Sequence, residues 1–519
     1  MLFVSSVLLV ASFENINLDF CVWFSFIPFF FVVKNKAKKG AFLAGLFFGL
    51  LFNLMAIYWL VYTISFYGAI NVVLSFFIFL LLVAYLALYF GLFAWLYKII
   101  IKRFDSVFVA PIIFVALEYL RTYMLSGFPW ILLGYSLYKR PILTQFSDIT
   151  GVYGQTFLIV LINSMFFRII KYFKSERKKK YIFEAAGTIL ILVAVVIYGT
   201  FTLKSDIEVG DELSVALIQG NIPQAQKWDK KFKRQTIDIY SELTMQAVDE
   251  IALDKGAELS EPALVVWPET ASPFYMQSST KYRDELIKLA ESSGSYLLTG
   301  GLSFKPSDEE IEEYKLLNSA FLISPEKKII GRYDKVHLVP FGEYVPMPTV
   351  LFFVNKITDG VGDFSSGGEA KNLTMGEGGL ELGVLICYES IFPDLVRQFT
   401  DKGADLLINI TNDAWFGDTS APHQQVSMAA FRAVENKRYL IRAANTGVSM
   451  VVDPFGRVIK KTGTYEDGFI TGKIRPVKKR TFYAEHGDLF AQVVSVTLFL
   501  LLVLSYLKRA AYFLAVRFL

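Results

Sequence analysis

The chain has 519 residues, enough for more than one domain, and 54% of them are hydrophobic, with 48 Phe. A mean hydropathy of +0.43 exceeds what a soluble core absorbs, so a bilayer must be the second solvent. A net charge of +4 excludes a nucleic-acid partner of the usual basic kind.

A hydrocarbon core about 30 Å thick needs about 20 apolar residues in helix. In chain order, candidate spans cover residues 2–13, 20–33, 41–66, 71–101, 108–124, 154–170 and 182–201, with an eighth at 489–507. The first lacks the basic start and small-residue cleavage site of a signal peptide, so it reads as a retained helix. Lysines and arginines cluster after the second span (Lys34, Lys36, Lys38, Lys39), the fourth (Lys98, Lys102, Arg103), the sixth (Lys171 to Lys180) and the eighth (Lys508, Arg509, Arg517), while the alternate loops are depleted. Eight spans with both termini cytoplasmic place every basic cluster on one side and residues 205–488 outside. The expected domains are a seven-helix membrane domain (1–203), an extracytoplasmic domain (212–480), an eighth transmembrane helix (488–507) and a basic tail (508–519).

Within the insertion, strand-like runs at 213–219, 264–267, 296–301, 320–323, 382–387, 406–411 and 448–452 alternate with amphipathic helical stretches at 232–253, 281–292, 392–402 and 423–437. This alternation predicts a layered α/β domain. Residues 359–368 are glycine-rich but lack the spacing and Lys-Ser/Thr of a phosphate loop, so they read as a flexible arm. Two cysteines, Cys21 and Cys387, stand in unrelated settings, and the three histidines have no metal-ligand spacing. Neither a disulfide nor a metal site is expected, and no cofactor is suggested.

Three segments end apolar runs in an ionisable residue: Val265-Val266-Trp267-Pro268-Glu269, Tyr333-Asp334-Lys335-Val336-His337 and Leu385-Ile386-Cys387-Tyr388-Glu389. Singly, each has a bland reading as a buried thiol, a turn residue or a surface ion pair. Together they answer one chemical problem. Thiolate attack on an acyl carbonyl needs a base for the thiol, a cation for the oxyanion and an acid for the leaving group. Cys387, at a strand end before a helix start, is expected to have a depressed pKa. Glu269 can move the proton, and Lys335 can hold the oxyanion.

These segments resemble the Glu-Lys-Cys triad of the nitrilase (carbon–nitrogen hydrolase) superfamily, whose domain is an αββα sandwich. Longer matches, at Leu217 to Pro223 with Lys227-Trp228, Lys335 to Pro346, Asn412 to Gly417, Glu118-Tyr119-Leu120-Arg121, Gly127 to Trp130, Gly134 to Ser136 and Gly151 to Gly154, resemble the apolipoprotein N-acyltransferase family along nearly the whole chain. The resemblance implies a bacterial inner-membrane acyltransferase with its catalytic domain on the periplasmic face. Its partners would be a phospholipid acyl donor, a diacylglyceryl apolipoprotein acceptor and membrane lipids, and it would act as a monomer. Glu269 becomes the general base and acid, Lys335 the oxyanion cation and Cys387 the nucleophile. Glu343 orients the lysine, while Tyr388 and Glu389 flank the thiol, the Tyr388 amide serving as a further oxyanion donor. Trp228 and Trp415 occupy aromatic positions near the acyl route. Leu317, Ser390 and the Ala444 to Gly447 segment depart from the family pattern.

Glu118 and Arg121, three apart on a membrane helix, either neutralise each other or contact substrate. The apolar run 350–354 reads equally as core or as a lid dipping into lipid. The alternative function is a membrane-anchored amidase or nitrilase. Eight spans favour lipid substrates over small soluble ones.

Overall fold

A computed structural model describes the chain except residues 14, 15, 17, 69–70, 177, 228, 230, 256–261, 279, 308–313, 346–363 and 518–519; of 255 and 508–517 it describes the backbone alone. Trp228, the run 350–354 and the start of the glycine-rich arm therefore lie outside the described residues. The chain divides into two compact units. One comprises Met1–Val61, Val73–Ser205 and His486–Leu519, the other Tyr62–Val72 and Asp206–Glu485.

The first unit is all helical. Six helices among the described residues are long and apolar enough to cross a membrane: Lys38–Ala56, Val72–Phe104, Val109–Ser126, Val152–Tyr172, Lys178–Lys204 and Leu489–Leu507. The first two expected spans are shorter than anticipated, forming Leu2–Ala11 and then a 3₁₀ turn, Asp19–Trp23, before Ile27–Lys34. The break is possible because its freed amides find acceptors inside the unit. Phe26 N–H donates to Asn163 Oδ1 at 2.9 Å and Phe29 N–H to Ser5 Oγ at 2.9 Å, which satisfies backbone that lipid could not.

Small residues let two of the long helices touch. A Cβ on Gly45 would sit 2.2 Å from the Phe90 carbonyl oxygen, and one on Gly49 2.8 Å from the Phe90 ring. This Gly-xxx-Gly face brings Lys38–Ala56 against Val72–Phe104. Around the contact the phenylalanines interlock, Phe26 lying 5.2 Å from Phe114 and Phe29 4.9 Å from Phe48 between ring centroids. The abundant Phe is thus packing material inside the unit as well as lipid-facing surface.

The second unit is a sandwich of two sheets. Its strands are β1 (Leu213–Gln219), β2 (Leu264–Val266), β3 (Ser272–Tyr275), β4 (Tyr296–Pro306), β5 (Tyr314–Ser324), β6 (Lys328–Asp334), β7 (Leu373–Met375), β8 (Leu380–Ile386), β9 (Leu406–Thr411), β10 (Tyr439–Ala444), β11 (Met450–Val452), β12 (Val458–Lys461) and β13 (Gly468–Ile474). One sheet runs β13-β1-β2-β4-β5-β6 with β3 beside β4, the other β12-β11-β10-β9-β8-β7. The sheets face each other through β1 against β10 and β5 against β8. Helices Lys233–Lys255 and Thr280–Ser292 cover the first, and Pro393–Asp401 and Ala421–Asn436 the second. The layers are therefore α, β, β, α. Strands β1, β2 and β4 run parallel, as do β8, β9 and β10. Parallel central strands deliver their carboxyl ends to one edge, where such sheets present functional residues.

Residues 41–66 do not form one span. The helix ends at Ala56, and Thr63–Tyr67 forms a turn of π-helix that belongs to the sandwich unit. Tyr67 donates its hydroxyl to the Ala414 carbonyl at 2.6 Å and lies 4.8 Å from the Trp415 ring; the Thr63 hydroxyl donates to the Trp415 carbonyl at 3.1 Å. The Tyr67 and Thr63 hydroxyls thus find backbone acceptors in the loop after β9 that lipid could not supply.

Candidate active site

Glu269 follows β2. The fully buried Trp267 ring lies 5.0 Å from Tyr240, and its indole N–H donates to Thr244 at 2.8 Å. The chain then turns sharply, with Thr270 at φ 49°, and passes so close to β4 that a Cβ on Gly300 would lie 2.7 Å from the Glu269 Cα. Only glycine at 300 fits that approach. The Glu269 carboxylate is buried; Oε1 accepts from Asn318 Nδ2 at 2.8 Å and Oε2 from the Asn412 N–H at 3.0 Å.

Lys335 follows β6 and is 1% exposed. Its N–H donates to the Asn318 carbonyl at 2.8 Å, and its own carbonyl accepts from Gly367 N–H at 2.8 Å. The described end of the glycine-rich arm therefore buttresses the lysine rather than swinging free. Lys335 Nζ donates to Glu343 Oε1 at 2.8 Å and stands 3.7 Å from Glu269 Oε1. Glu343 also accepts from Asn318 Nδ2 at 3.2 Å and Val339 N–H at 2.8 Å. Burial favours the neutral amine, but Glu343, then Glu269 and Cys387, overcome it and hold the Lys335 ammonium above its ordinary pKa.

Cys387 follows β8 in the left-handed region, φ 53°, at the start of a 3₁₀ turn. A non-glycine residue there stores strain of about 1–3 kcal/mol, as nucleophile turns often do. The thiol is buried and is pushed up to about 12, first by desolvation and then by the Glu269 charge; Lys335 and a hydrogen bond with Thr411 pull the other way. The expected depression of its pKa by a helix start is thus overturned. A short turn contributes little against the loss of water and a carboxylate facing the sulfur. In the resting site the proton stays on sulfur.

Glu389 sits beneath this turn with no exposed surface. Its Oε1 accepts from Tyr333 Oη at 2.8 Å and from the Val336 and His337 amides at 2.7 and 3.1 Å, and Oε2 accepts from Ile386 N–H at 2.7 Å. Burial pushes this carboxyl up, while the Ile386 amide, Lys335, the His337 amide and Tyr333 oppose it. One carboxylate thus ties the Lys335 segment to the Cys387 segment. Glu389→Gln keeps the shape but sets an NH2 against a donor. Denaturant unfolding should show a loss of about 1–3 kcal/mol.

Tyr388 is buried, its ring 5.1 Å from Phe392. Trp415 is half-buried against Tyr67. Glu118 and Arg121 lie in the helical unit, not in the sandwich. Glu118 is spoken for by Leu133 N–H at 2.8 Å and Thr156 Oγ1 at 2.7 Å, with Arg121 3.9 Å away; this holds the loop after its helix in place. Asn318 and Asn412 were not singled out in sequence, although both touch Glu269. Amides acquire meaning only once β5 and β9 set their register.

A carbon–nitrogen hydrolase domain matches residues 214–481, and an apolipoprotein N-acyltransferase N-terminal domain matches residues 5–165. A Geobacter metallireducens protein named apolipoprotein N-acyltransferase is 40% identical over 488 residues, 94% of this chain and 91% of its own length. The chain belongs to the apolipoprotein N-acyltransferase family. A second family member, from Pasteurella multocida, is 30% identical over 96% of this chain and 93% of its own. Among solved structures, Saccharomyces cerevisiae Nit3, of branch 10 of the nitrilase superfamily, is 21% identical over 52% of this chain and 93% of that one, with a TM-score of 0.39. Membership makes the sandwich the family's carbon–nitrogen hydrolase half and the helical unit its membrane half.

Proposed function

We propose that the chain moves a fatty acyl group from a phospholipid to the N-terminal amine of a diacylglyceryl-cysteine apolipoprotein, through a thioester on Cys387. The observation that carries this reading is the buried Glu269–Lys335–Glu343 cluster beside a buried thiol, in a chain whose relatives match both halves. Glu269 takes the Cys387 proton as the sulfur attacks the ester carbonyl. Lys335 Nζ, with the Tyr388 amide, holds the oxyanion. Collapse breaks the C–O bond, Glu269 returns the proton to the glycerol oxygen, and lysophospholipid leaves. The acceptor amine then attacks the thioester, gives its proton to Glu269, and the thiolate departs and is reprotonated. An α-amine with a pKa near ~8 is far more available than a lysine near ~10.4. Exclusion of water protects the thioester meanwhile. Trp228 and Trp415 would line the acyl route, while Glu118 and Arg121, both buried, would neutralise each other and hold the loop after their helix.

The same reading takes residues 1–203 and 488–507 as membrane domain, 212–480 as the periplasmic catalytic domain and 508–519 as a cytoplasmic tail. The two short N-terminal helices complete eight crossings in the bacterial inner membrane, with both termini cytoplasmic. The enzyme works as a monomer.

Intact mass spectrometry of purified protein incubated with phospholipid tests this. Wild type should gain one acyl group that neutral hydroxylamine removes and that a diacylglyceryl-cysteine peptide discharges; Cys387→Ala should gain none. An equal adduct on Cys387→Ala, or equal release of free acid without an amine, sinks the proposal.

A further inference from the structure

A second lysine enters the sandwich beside this cluster. Lys227, on the short helix Gln224–Lys227, is 3% exposed. Its Nζ donates to the Glu269 backbone carbonyl at 2.8 Å, its one hydrogen-bond partner among the described residues. No carboxylate lies within ion-pair distance of it there, whereas Lys335 has two. Buried ammonium groups are rarely left with a single neutral acceptor, because each carries a large desolvation penalty. The groups facing Lys227 are Glu269 and Cys387.

The charge balance gives this lysine a purpose. Glu269 and Glu343 together outnumber Lys335, so the cluster carries one net negative charge before the thiol ionises. Moving a proton from Cys387 to Glu269 shifts negative charge onto sulfur inside that field. A second cation facing both groups cancels the excess. The turn bearing Lys227 is also fixed to the site: Gln224 Oε1 accepts from Asn412 Nδ2 at 2.6 Å, and the Asn412 N–H holds Glu269.

We propose that Lys227 is a positioning residue for acyl transfer, anchoring the Glu269 main chain and supplying the second positive charge against which the Cys387 thiolate forms. The inference rests on the Cys387 thioester reading above. Burial holds the Lys227 amine down at about 8, with Glu269 and Cys387 resisting. Its charge is therefore present below that pH and lost above it. A folded-state pKa below the unfolded value means the unfolded chain binds more protons between about 8 and ~10.4, so Lys227 destabilises the fold below that window.

The test measures alkylation of Cys387 by iodoacetamide, quantified on its peptide by mass, at pH 7 and pH 10 in the full-length enzyme. Wild type, Lys227→Met (neither charge nor donor) and Lys227→Gln (donor without charge) are compared, together with acyl-transfer rates. Both variants should react about tenfold more slowly than wild type at pH 7 and converge with it at pH 10, where Lys227 is neutral. Acyl transfer should fall at least tenfold at pH 7, with thermal stability unchanged or raised. Equal alkylation at pH 7 in either folded variant overturns the proposal, as does a deficit that persists undiminished at pH 10. Should neither variant fold, that too overturns it, since a purely structural lysine is then indicated. Failure of the thioester reading shows separately, as a wild-type enzyme that forms no hydroxylamine-labile adduct on Cys387.

Discussion

Lys335→Met should lower kcat/KM by about 10²–10³, the usual loss when one oxyanion donor is removed, and should also destabilise the fold. Lys335 Nζ is the group between Glu343 and Glu269. Without it two buried carboxylates face each other uncompensated, a change worth about 3–5 kcal/mol when one partner of a buried pair is deleted. The two effects separate by a double change. Lys335→Met with Glu343→Gln removes the stranded charge and should recover much of the stability in denaturant unfolding while activity stays lost. If the double variant regained activity, the lysine would be a structural counter-ion and not the oxyanion partner. The pH dependence has a definite sign. The Lys335 pKa is raised above its unfolded value, so its stabilisation is full below ~10.4 and is lost only as pH climbs through the higher folded value. Across neutral pH the wild-type lysine should contribute no inflection to the rate profile.

Glu269 and Cys387 stand out in sequence because each follows an apolar strand of the parallel core, β2 and β8, whereas Lys335 follows β6, an antiparallel edge strand of mixed polarity. Strands β1 and β9 keep the bounds expected at 213–219 and 406–411, because only isolated uncharged polar residues such as Ser214 and Asn409 interrupt their apolar runs. Strand β10 was not seen, because Arg442 interrupts its pattern. The structure resolves the contradiction: Arg442 is fully buried, donating to Asp413 Oδ2 at 2.8 Å and to Gln425 Oε1 at 2.8 Å. A buried ion pair between β10 and the loop after β9 is invisible to any local pattern. The same holds for Asn318 and Asn412, whose value lies in what they reach across the sandwich. Lys227 was noticed only as the neighbour of Trp228, since nothing in a Gln-Ala-Gln-Lys turn marks a buried cation. In the membrane half, hydropathy located the apolar runs but not their breaks. Whether an apolar run stays helical depends on acceptors elsewhere, such as Asn163 for Phe26.

Glu269→Gln should separate two properties of Cys387 that usually move together. In the proposed mechanism Glu269 accepts the thiol proton and returns it to the leaving oxygen, so its loss should slow turnover by about 10²–10⁴. Yet the Glu269 charge is also, after desolvation, the largest influence holding the thiol up at about 12. Removing that charge lets the thiol ionise more readily, so alkylation of Cys387 by iodoacetamide at pH 8 should be faster than in wild type, in the same protein whose acyl transfer has collapsed. The Gln side chain can still accept from Asn318 or the Asn412 amide, the contacts that seat Glu269, so the geometry changes little. A residue that merely supported the nucleophile would lower both rates together when replaced. Parallel losses in alkylation and transfer would therefore remove Glu269 from the proton path, whereas opposite changes are expected only of a base that both takes the proton and, by its charge, keeps it on sulfur until a carbonyl arrives.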